Sequence, residues 1–421
     1  MKTNNPEQFD YYIPVRKSEI VSAILKDEAL SSNERKPMAE LIRWLALLFH
    51  VEFFSSSEYI KELYVELNPD RPGSDPLMSS HHDREKFLAE LDKILIAANF
   101  RPLSEEEIDE SDGMEGRIRV NIKIPTDVFS ETRFYARGRR MQEFSVPIWF
   151  GLKHKVVEFE TFDHVVFCMI PSLTAPVKKL KQGKLRAGAA YLKLFRDIPV
   201  ADIKSLYPNA QAALGILRKL MITVPAAVAI IPLLMKIIPS FTVLLLVTSA
   251  YLGISGTVQD DTLKKGLAAA AVLAAVIGLG MRQWSSYDRY SLRHQKHVTD
   301  HAQFNKMNKN AGCFDYLIAA SEDAEVKEAF LAYALLHFEG KPLSQPELDD
   351  KVEKWFKNRF NVEIDFEIDD AIAKLERLSM VKHVGGKYVP VPIDVAIISC
   401  TDNWRLLSSD IARGGLDDEF D

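Results

Sequence analysis

The sequence predicts an α+β membrane protein: an N-terminal domain of helices and antiparallel sheet, a transmembrane helical hairpin, and a winged-helix-like C-terminal domain. Three observations lead there. An apolar run from Leu220 to Gly256, broken only by Lys236 and three prolines, is followed by a second from Gly266 to Met281, and a bilayer asks for roughly 17 to 25 such residues per helical span. Arg117 to Ile124 alternates strictly, with Ile118, Val120, Ile122 and Ile124 on one side and Arg117, Arg119, Asn121 and Lys123 on the other, the period of a half-buried strand. Near the C-terminus a helix, a second helix, a short strand, a third helix and a hairpin follow one another.

The elements are taken in chain order. Met1 to Asp10 is polar, with no apolar segment and no arginine, so it reads as neither a secretory signal nor an organellar transit peptide. In Glu34 to Phe54, Leu41, Ile42, Leu45, Leu48 and Phe53 recur at mostly three- and four-residue steps, and Phe87, Leu88, Leu91, Ile94 and Leu95 repeat the pattern; both are amphipathic helices. Pro69, Pro72 and Gly73 separate them. Strands are expected at Arg133 to Arg137, Lys155 to Glu160 and His164 to Ile170, the last two joined by a short turn. Helices followed by antiparallel strands make residues 1–175 an α+β domain.

Residues 176–219 form a basic segment containing Lys178, Lys179, Lys181, Lys184 and Arg186, and Arg282 and Arg289 lie beyond the apolar region. The positive-inside rule places both flanks on the cytoplasmic side, so the number of full spans is even. Within 220–282 there are three apolar pieces, Leu220 to Ile238, Phe241 to Val258 and Gly266 to Met281. The latter two carry no charge and suit a hairpin, whereas Pro225, Pro232 and Lys236 mark the first as kinked or partly inserted.

A helical connector occupies 283–321, and the winged-helix-like domain 322–405 precedes an acidic tail, 406–421. Glu325 to Phe338 is expected as one amphipathic helix. Ser344 and Glu347 are spaced as a capping box, with Pro346 in the first turn of a helix running to about Phe360. Val362 to Phe366 is the short strand, and Ile368, Ala371, Ile372, Leu375 and Leu378 line a third helix. Gly385-Gly386 turns a hairpin between Met380–Val384 and Lys387–Val391. Leu331, Leu335, Trp355, Phe356, Phe366, Ile372 and Leu375 are the expected core of this module.

The order of several stretches resembles the transmembrane protein 143 family, whose shared region is a domain of unknown function. They are Tyr12-Ile13-Pro14-Val15-Arg16-Lys17; Glu62-Leu63-Tyr64 with Asn68-Pro69-Asp70; Phe195-Arg196-Asp197-Ile198-Pro199; Lys327-Glu328-Ala329-Phe330-Leu331-Ala332-Tyr333; Glu347-Leu348-Asp349; and Asp365-Phe366-Glu367 with Asp370-Ala371-Ile372-Ala373-Lys374-Leu375-Glu376. The resemblance covers nearly the full length. It implies an integral membrane protein of bacteria or mitochondria with two spans, and no known activity, so it carries over no catalytic residue.

Charge and motifs narrow the function classes. The formal charge of -6 argues against a general nucleic-acid binder, which needs a basic face. Between Glu322 and Asp394 there are 16 acidic and 10 basic residues, and the third helix opens with Glu367, Asp369 and Asp370 where phosphate contact would be needed. Cys168, Cys313 and Cys400 are widely spaced and odd in number, the usage of a reducing compartment. His294, His297 and His301 share one helical face and are the only metal candidates. No glutamate stands beside them as a base, and Lys296 opposes a cation. Arg133, Arg137, Arg139 and Arg140 cluster around Gly138 at an expected hairpin end and are candidates for contact with an anion. Their alternative is pairing with carboxylates such as Glu131 and Glu143. No catalytic signature and no cofactor motif is present.

The sequence therefore points to a membrane-anchored, cytosol-facing structural or protein-interaction protein. Its expected partners are the lipid bilayer, anionic lipid headgroups touched by Lys178, Lys179, Lys181, Lys184, Arg186, Arg282 and Arg289, and an unidentified protein, with no nucleic acid. Its expected place is a bacterial inner membrane, or a mitochondrial one in a eukaryote, with both termini cytosolic. The runner-up class is an enzyme or binding protein acting on lipid or another membrane-associated anionic substrate.

Overall fold

The computed structural model describes residues 10–110, 121–123, 128–148, 153–208, 211–213 and 306–417, with scattered single positions between 248 and 281. They divide into two units, 1–117 with 125–203 and 305–421 as the first, and 118–124 with 204–304 as the second. In the second, β2 (Asn121–Lys123) pairs antiparallel with β6 (Gln211–Ala213).

The first unit is an α+β assembly built on an antiparallel sheet. Its strands are β1 (Arg101–Pro102), β3 (Phe129–Ile148), β4 (Lys153–Pro171), β5 (Tyr191–Pro199) and β7 (Lys306–Lys309), in the order β1-β3-β4-β5-β7. Helices α1 (Lys17–Leu25), α2 (Arg35–Tyr64), α3 (His81–Ala97), α4 (Glu105–Glu110) and α5 (Val177–Gly183) precede or interrupt it. After β7 come α6 (Ala311–Glu339), α7 (Gln345–Phe360), α8 (Ile368–Arg377), the hairpin β8 (Val381–Val384) and β9 (Lys387–Pro390), and α9 (Ile393–Asp417).

Two helices of 30 and 29 residues, α2 and α6, organise the packing. At about 1.5 Å per residue each is about 45 Å long, enough to serve two cores. In one, Ile60 and Tyr64 of α2, Phe87 and Leu91 of α3 and Phe314 and Leu317 of α6 cover Tyr135, Val166 and Leu192 on the sheet. In the other, Leu41, Leu45 and Leu48 of α2 and Phe330 to Leu336 of α6 join Ile20 of α1, Phe356 of α7, Ile372 of α8 and Cys400 of α9. The C-terminal elements thus share their apolar core with the N-terminal helices. Of the core residues expected from the sequence, Leu331, Leu335, Phe356, Phe366, Ile372 and Leu375 are buried, and Trp355 is partly buried.

The transmembrane hairpin and the integral-membrane location are corrected: among the described residues no helix is long and apolar enough to cross a membrane. The two longest helices carry Arg35, Lys36, Glu40, Arg43, Glu52, Asp315, Glu322 and Asp323 along their length, charges that hydrocarbon excludes. The apolar pieces Leu220 to Ile238, Phe241 to Val258 and Gly266 to Met281 lie wholly or largely outside the described residues.

Other expectations shift locally. Lys155 to Glu160 and His164 to Ile170 are one continuous strand, β4, because β3 pairs with it from Phe129↔Pro171 to Ile148↔Lys153. Arg133 to Arg140 consequently lies in mid-strand and not at a hairpin end. Gly138 sits there at φ 73, and a Cβ at that position would stand 2.6 Å from the Asp163 Cβ. Glu325 to Phe338 is not amphipathic; from Val326 to Leu336 every residue of α6 is buried, as expected of a helix that is apolar nearly all round. No strand forms at Val362 to Phe366; the β8–β9 hairpin takes its third pairing from a bridge between Leu343 and Tyr388. The Ser344–Glu347 capping box is present, and Gly385 and Gly386 turn the hairpin at φ 59 and 77.

Candidate functional site

The sequence-singled arginines part company in the structure. The Arg133 Nη1 donates to Asp92 Oδ2 at 2.9 Å, and its Nε stands 3.7 Å from Glu131. Arg139 donates to Glu160 at 2.7 Å. The Arg140 Nε lies 2.5 Å from Asp163, and its Nη2 donates to Asp197 at 2.9 Å. These three are neutralised by their own sheet or the helix above it. Arg137 is different. It is 5 % exposed and has no carboxylate within ion-pair distance among the described residues.

Strand pairing puts Arg137 opposite His164, on the side of the sheet where the N-terminal half of α6 passes. The Arg137 Nη1 donates to the Ala98 carbonyl at 2.6 Å and Nη2 to the Tyr316 hydroxyl at 3.1 Å. Its guanidinium carbon sits 4.7 Å from the ring centroid of Tyr12 and 4.4 Å from that of Phe100. Such ring contacts are worth about 0.5–2 kcal/mol each, but they do not supply a counter-charge. The Arg137 Nε is buried and makes no hydrogen bond.

Tyr316 and His164 are 2.7 Å apart, hydroxyl to Nε2. An arginine can only donate, so the Tyr316 oxygen accepts from it, and the tautomer of His164 sets which of Tyr316 and Nε2 donates to the other. Burial, with the charges of Arg137, Arg196 and Arg140, lowers the imidazole to about 3, so the ring is neutral, with Nδ1 the nitrogen left over from the Tyr316 contact. That nitrogen is also buried without a partner. The constellation therefore holds two buried nitrogens, Arg137 Nε and His164 Nδ1, with no hydrogen-bond partner among the described residues.

A cavity of about 330 Å³ opens beside Arg137. One wall is the N-terminal segment Tyr12 to Lys17; the other is α6, through Tyr316, Ala319, Ala320, Asp323, Ala324 and Lys327. Asn99 closes the end, held at φ 58. Lys327 donates to the Ile13 carbonyl at 3.3 Å and pairs with Asp323 at 2.6 Å, and Lys17 reaches the same carboxylate at 3.7 Å.

Behind Asn99 lies a buried ionic cluster that the sequence did not disclose. Asn99 Nδ2 donates to Tyr11 O at 3.1 Å and to Glu328 Oε1 at 2.7 Å. The Lys374 Nζ lies 2.5 Å from Glu328 and 2.7 Å from Glu325 and also contacts Asp370. Burial works to lower the lysine, but Glu328, Glu325 and Asp370 outweigh it and hold the ammonium above its ordinary range. One ammonium cannot balance three carboxylates. Burial pushes Glu325 up to about 7 against the pull of Lys374, and Glu367 rises to about 7 through burial and the nearby Glu328. The one available signal was Lys327-Glu328 embedded in an otherwise apolar helical run.

The remaining candidates are scattered. Lys178, Lys179 and Lys181 are on α5, and Lys184 follows it at φ 53. Arg186 is tied to the 69–74 loop, donating to Ser74 O at 2.5 Å. Arg282, Arg289, His294, His297 and His301 lie outside the described residues, among which no group of His, Cys, Asp and Glu is placed to hold a metal. Cys168, Cys313 and Cys400 are buried and unbridged, and burial raises each thiol to about 12.

Residues 157–312 match a family described as a protein of unknown function, DUF3754. The matched span holds His164, most of β4, and strands β5 and β7, and ends at the start of α6; it does not include Arg137. It supports an uncharacterised domain; it supports neither the transmembrane protein 143 assignment nor a near-full-length reach. No curated protein and no solved structure matches the chain.

Proposed function

We propose that this chain is a structural or interaction protein that works by holding another protein through the β3–β4 ribbon. The observation that carries the reading is how far the ribbon outruns its sheet. β1 pairs with β3 only at Tyr135 and Ala136, and β5 leaves β4 at Thr161. Beyond that point Met141 to Ile148 stays paired with Lys153 to Glu160, a two-stranded arm about 25 Å long at strand rise. Among the described residues neither edge of the arm has a third strand. Isolated two-stranded ribbons are marginal in water, and open edges invite strand addition. An arm of this length is best supported by a partner backbone.

Protein is favoured over nucleic acid because the C-terminal helices have little free positive charge. Lys374 of α8 is enclosed by carboxylates, and Arg377 pairs with Glu52 at 3.0 Å. The likeness to the transmembrane protein 143 family belongs to this proposal too. It is supported by the convergence of three of its stretches, Tyr12 to Lys17, Lys327 to Tyr333 and Asp365 to Glu376, around one core and its flanking cluster.

The test is a full-length chain in which Asn-Gly joins Gln142 directly to Phe159, residues that face each other across the ribbon. The shortened chain should keep its thermal midpoint and lose at least about tenfold of its affinity for the proteins cross-linked to the natural arm, about 1.4 kcal/mol. The same cross-linked partners bound equally well would overturn the reading.

A further inference from the structure

We infer that the cavity beside Arg137 is a binding site for a small organic carboxylate with an apolar body. The charge count of its wall comes first. Arg16, Lys17, Arg137 and Lys327 line it, against the single carboxylate of Asp323. That carboxylate is shared between Lys17 and Lys327, which leaves Arg16 and Arg137 without a carboxylate partner among the described residues.

Arg137 makes the argument specific. An uncompensated buried charge is held against a desolvation penalty of several kcal/mol, and buried charges are as a rule paired. Here the guanidinium is 5 % exposed, its faces are covered by Tyr12 and Phe100, and one of its donors is unused. With both faces occupied, an incoming anion must approach in the guanidinium plane. A flat carboxylate fits that edge; its two oxygens match adjacent N–H groups. The ligand would supply the missing counter-charge.

The opposite wall sets the rest of the molecule. Ala319, Ala320 and Ala324 present methyl groups along α6, and Ile13 faces them from the N-terminal segment. A cavity of about 330 Å³ has ample room for a small aromatic or branched aliphatic acid. A phosphate has no apolar body and would leave the alanine wall uncovered.

The experiment is calorimetric titration of the full-length chain with sodium benzoate, benzyl alcohol and inorganic phosphate at matched ionic strength. Benzoate should bind saturably, and benzyl alcohol and phosphate at least about tenfold more weakly, a difference of about 1.4 kcal/mol. Arg137→Lys keeps the charge but not the fork, and should weaken benzoate by about tenfold. Ala320→Leu fills the apolar end without touching Arg137 and should abolish binding, so the location stays testable if the arginine variant fails to fold. Absence of benzoate binding overturns the proposal. Equal binding of benzyl alcohol would mean an apolar cavity only, and phosphate binding as tightly as benzoate would assign the wrong anion. Benzoate affinity unchanged in Ala320→Leu would place the site elsewhere.

Discussion

Replacing Lys374 by methionine removes the single cation from a buried cluster while keeping its volume, so the cost is electrostatic and not that of a cavity. The Lys374 Nζ is within 2.7 Å of Glu325 and Glu328 and also touches Asp370; Glu328 is 2 % exposed and keeps only the hydrogen bond from Asn99. Breaking a buried pair by deleting one partner costs about 3–5 kcal/mol, a large part of the about 5–15 kcal/mol that a typical domain has. The loss should depend on pH. At pH 8 the variant must bury carboxylates with no counter-charge. At pH 5 Glu325, already at about 7 in the natural protein, is protonated, and Glu328, raised by the same burial, follows once the ammonium is gone; the penalty then shrinks to about 1–2 kcal/mol, that of an imperfectly satisfied polar group. Urea unfolding followed by tryptophan fluorescence reads this directly, because Trp44, Trp355 and Trp404 pack against the core beside the cluster. A loss below about 1 kcal/mol at pH 8, or the same loss at both pH values, would refute the reasoning.

The natural protein should lose stability between pH 6.5 and 8. Glu325 is raised from an ordinary 4.5 to about 7, so its contribution is full below 4.5 and disappears as pH rises through 7, about 1 kcal/mol of it above pH 6.5; Glu367 acts with the same sign. His164, lowered from 6.5 to about 3, opposes this only below pH 6.5, where the unfolded chain gains the proton that the folded ring refuses. A thermal midpoint that rises from pH 6.5 to 8 would contradict the assignment. Gly138→Ala should cost about 1–3 kcal/mol, since the new methyl meets the Asp163 side chain at a positive φ; a change in urea midpoint equivalent to less than about 0.5 kcal/mol would show that the strand relaxes freely.

By itself the sequence determined the local elements whose signals are short-range. The stripe of Leu41, Ile42, Leu45 and Leu48 is a helix face, Ser344 and Glu347 cap α7, and Gly385-Gly386 turns the hairpin. Capping, period and turn chemistry act within a few residues, so they can be read without knowing the fold. A second capping box, Ser80 with Asp83, rests on the same three-residue spacing. Apolar runs are less informative for the converse reason. Hydropathy reports that a segment avoids water, not what it is buried in, and no described helix has the length and apolarity to cross a bilayer.

Tertiary structure alone decided the site. Arg137, His164 and Tyr316 are far apart in sequence; strand register and the path of α6 bring them together. Nothing in the Arg133 to Arg140 run marks Arg137 as the member without a carboxylate, because its neighbours find Asp92, Glu160, Asp163 and Asp197 across the sheet or on α3. Glu328 and Lys374 likewise looked like ordinary helix charges until α6 and α8 packed against each other and took both out of water. Burial and pairing of a charge are properties of its surroundings, and those surroundings come from segments distant in the chain, 46 residues for Lys374 and Glu328 and 179 for Arg137 and Tyr316.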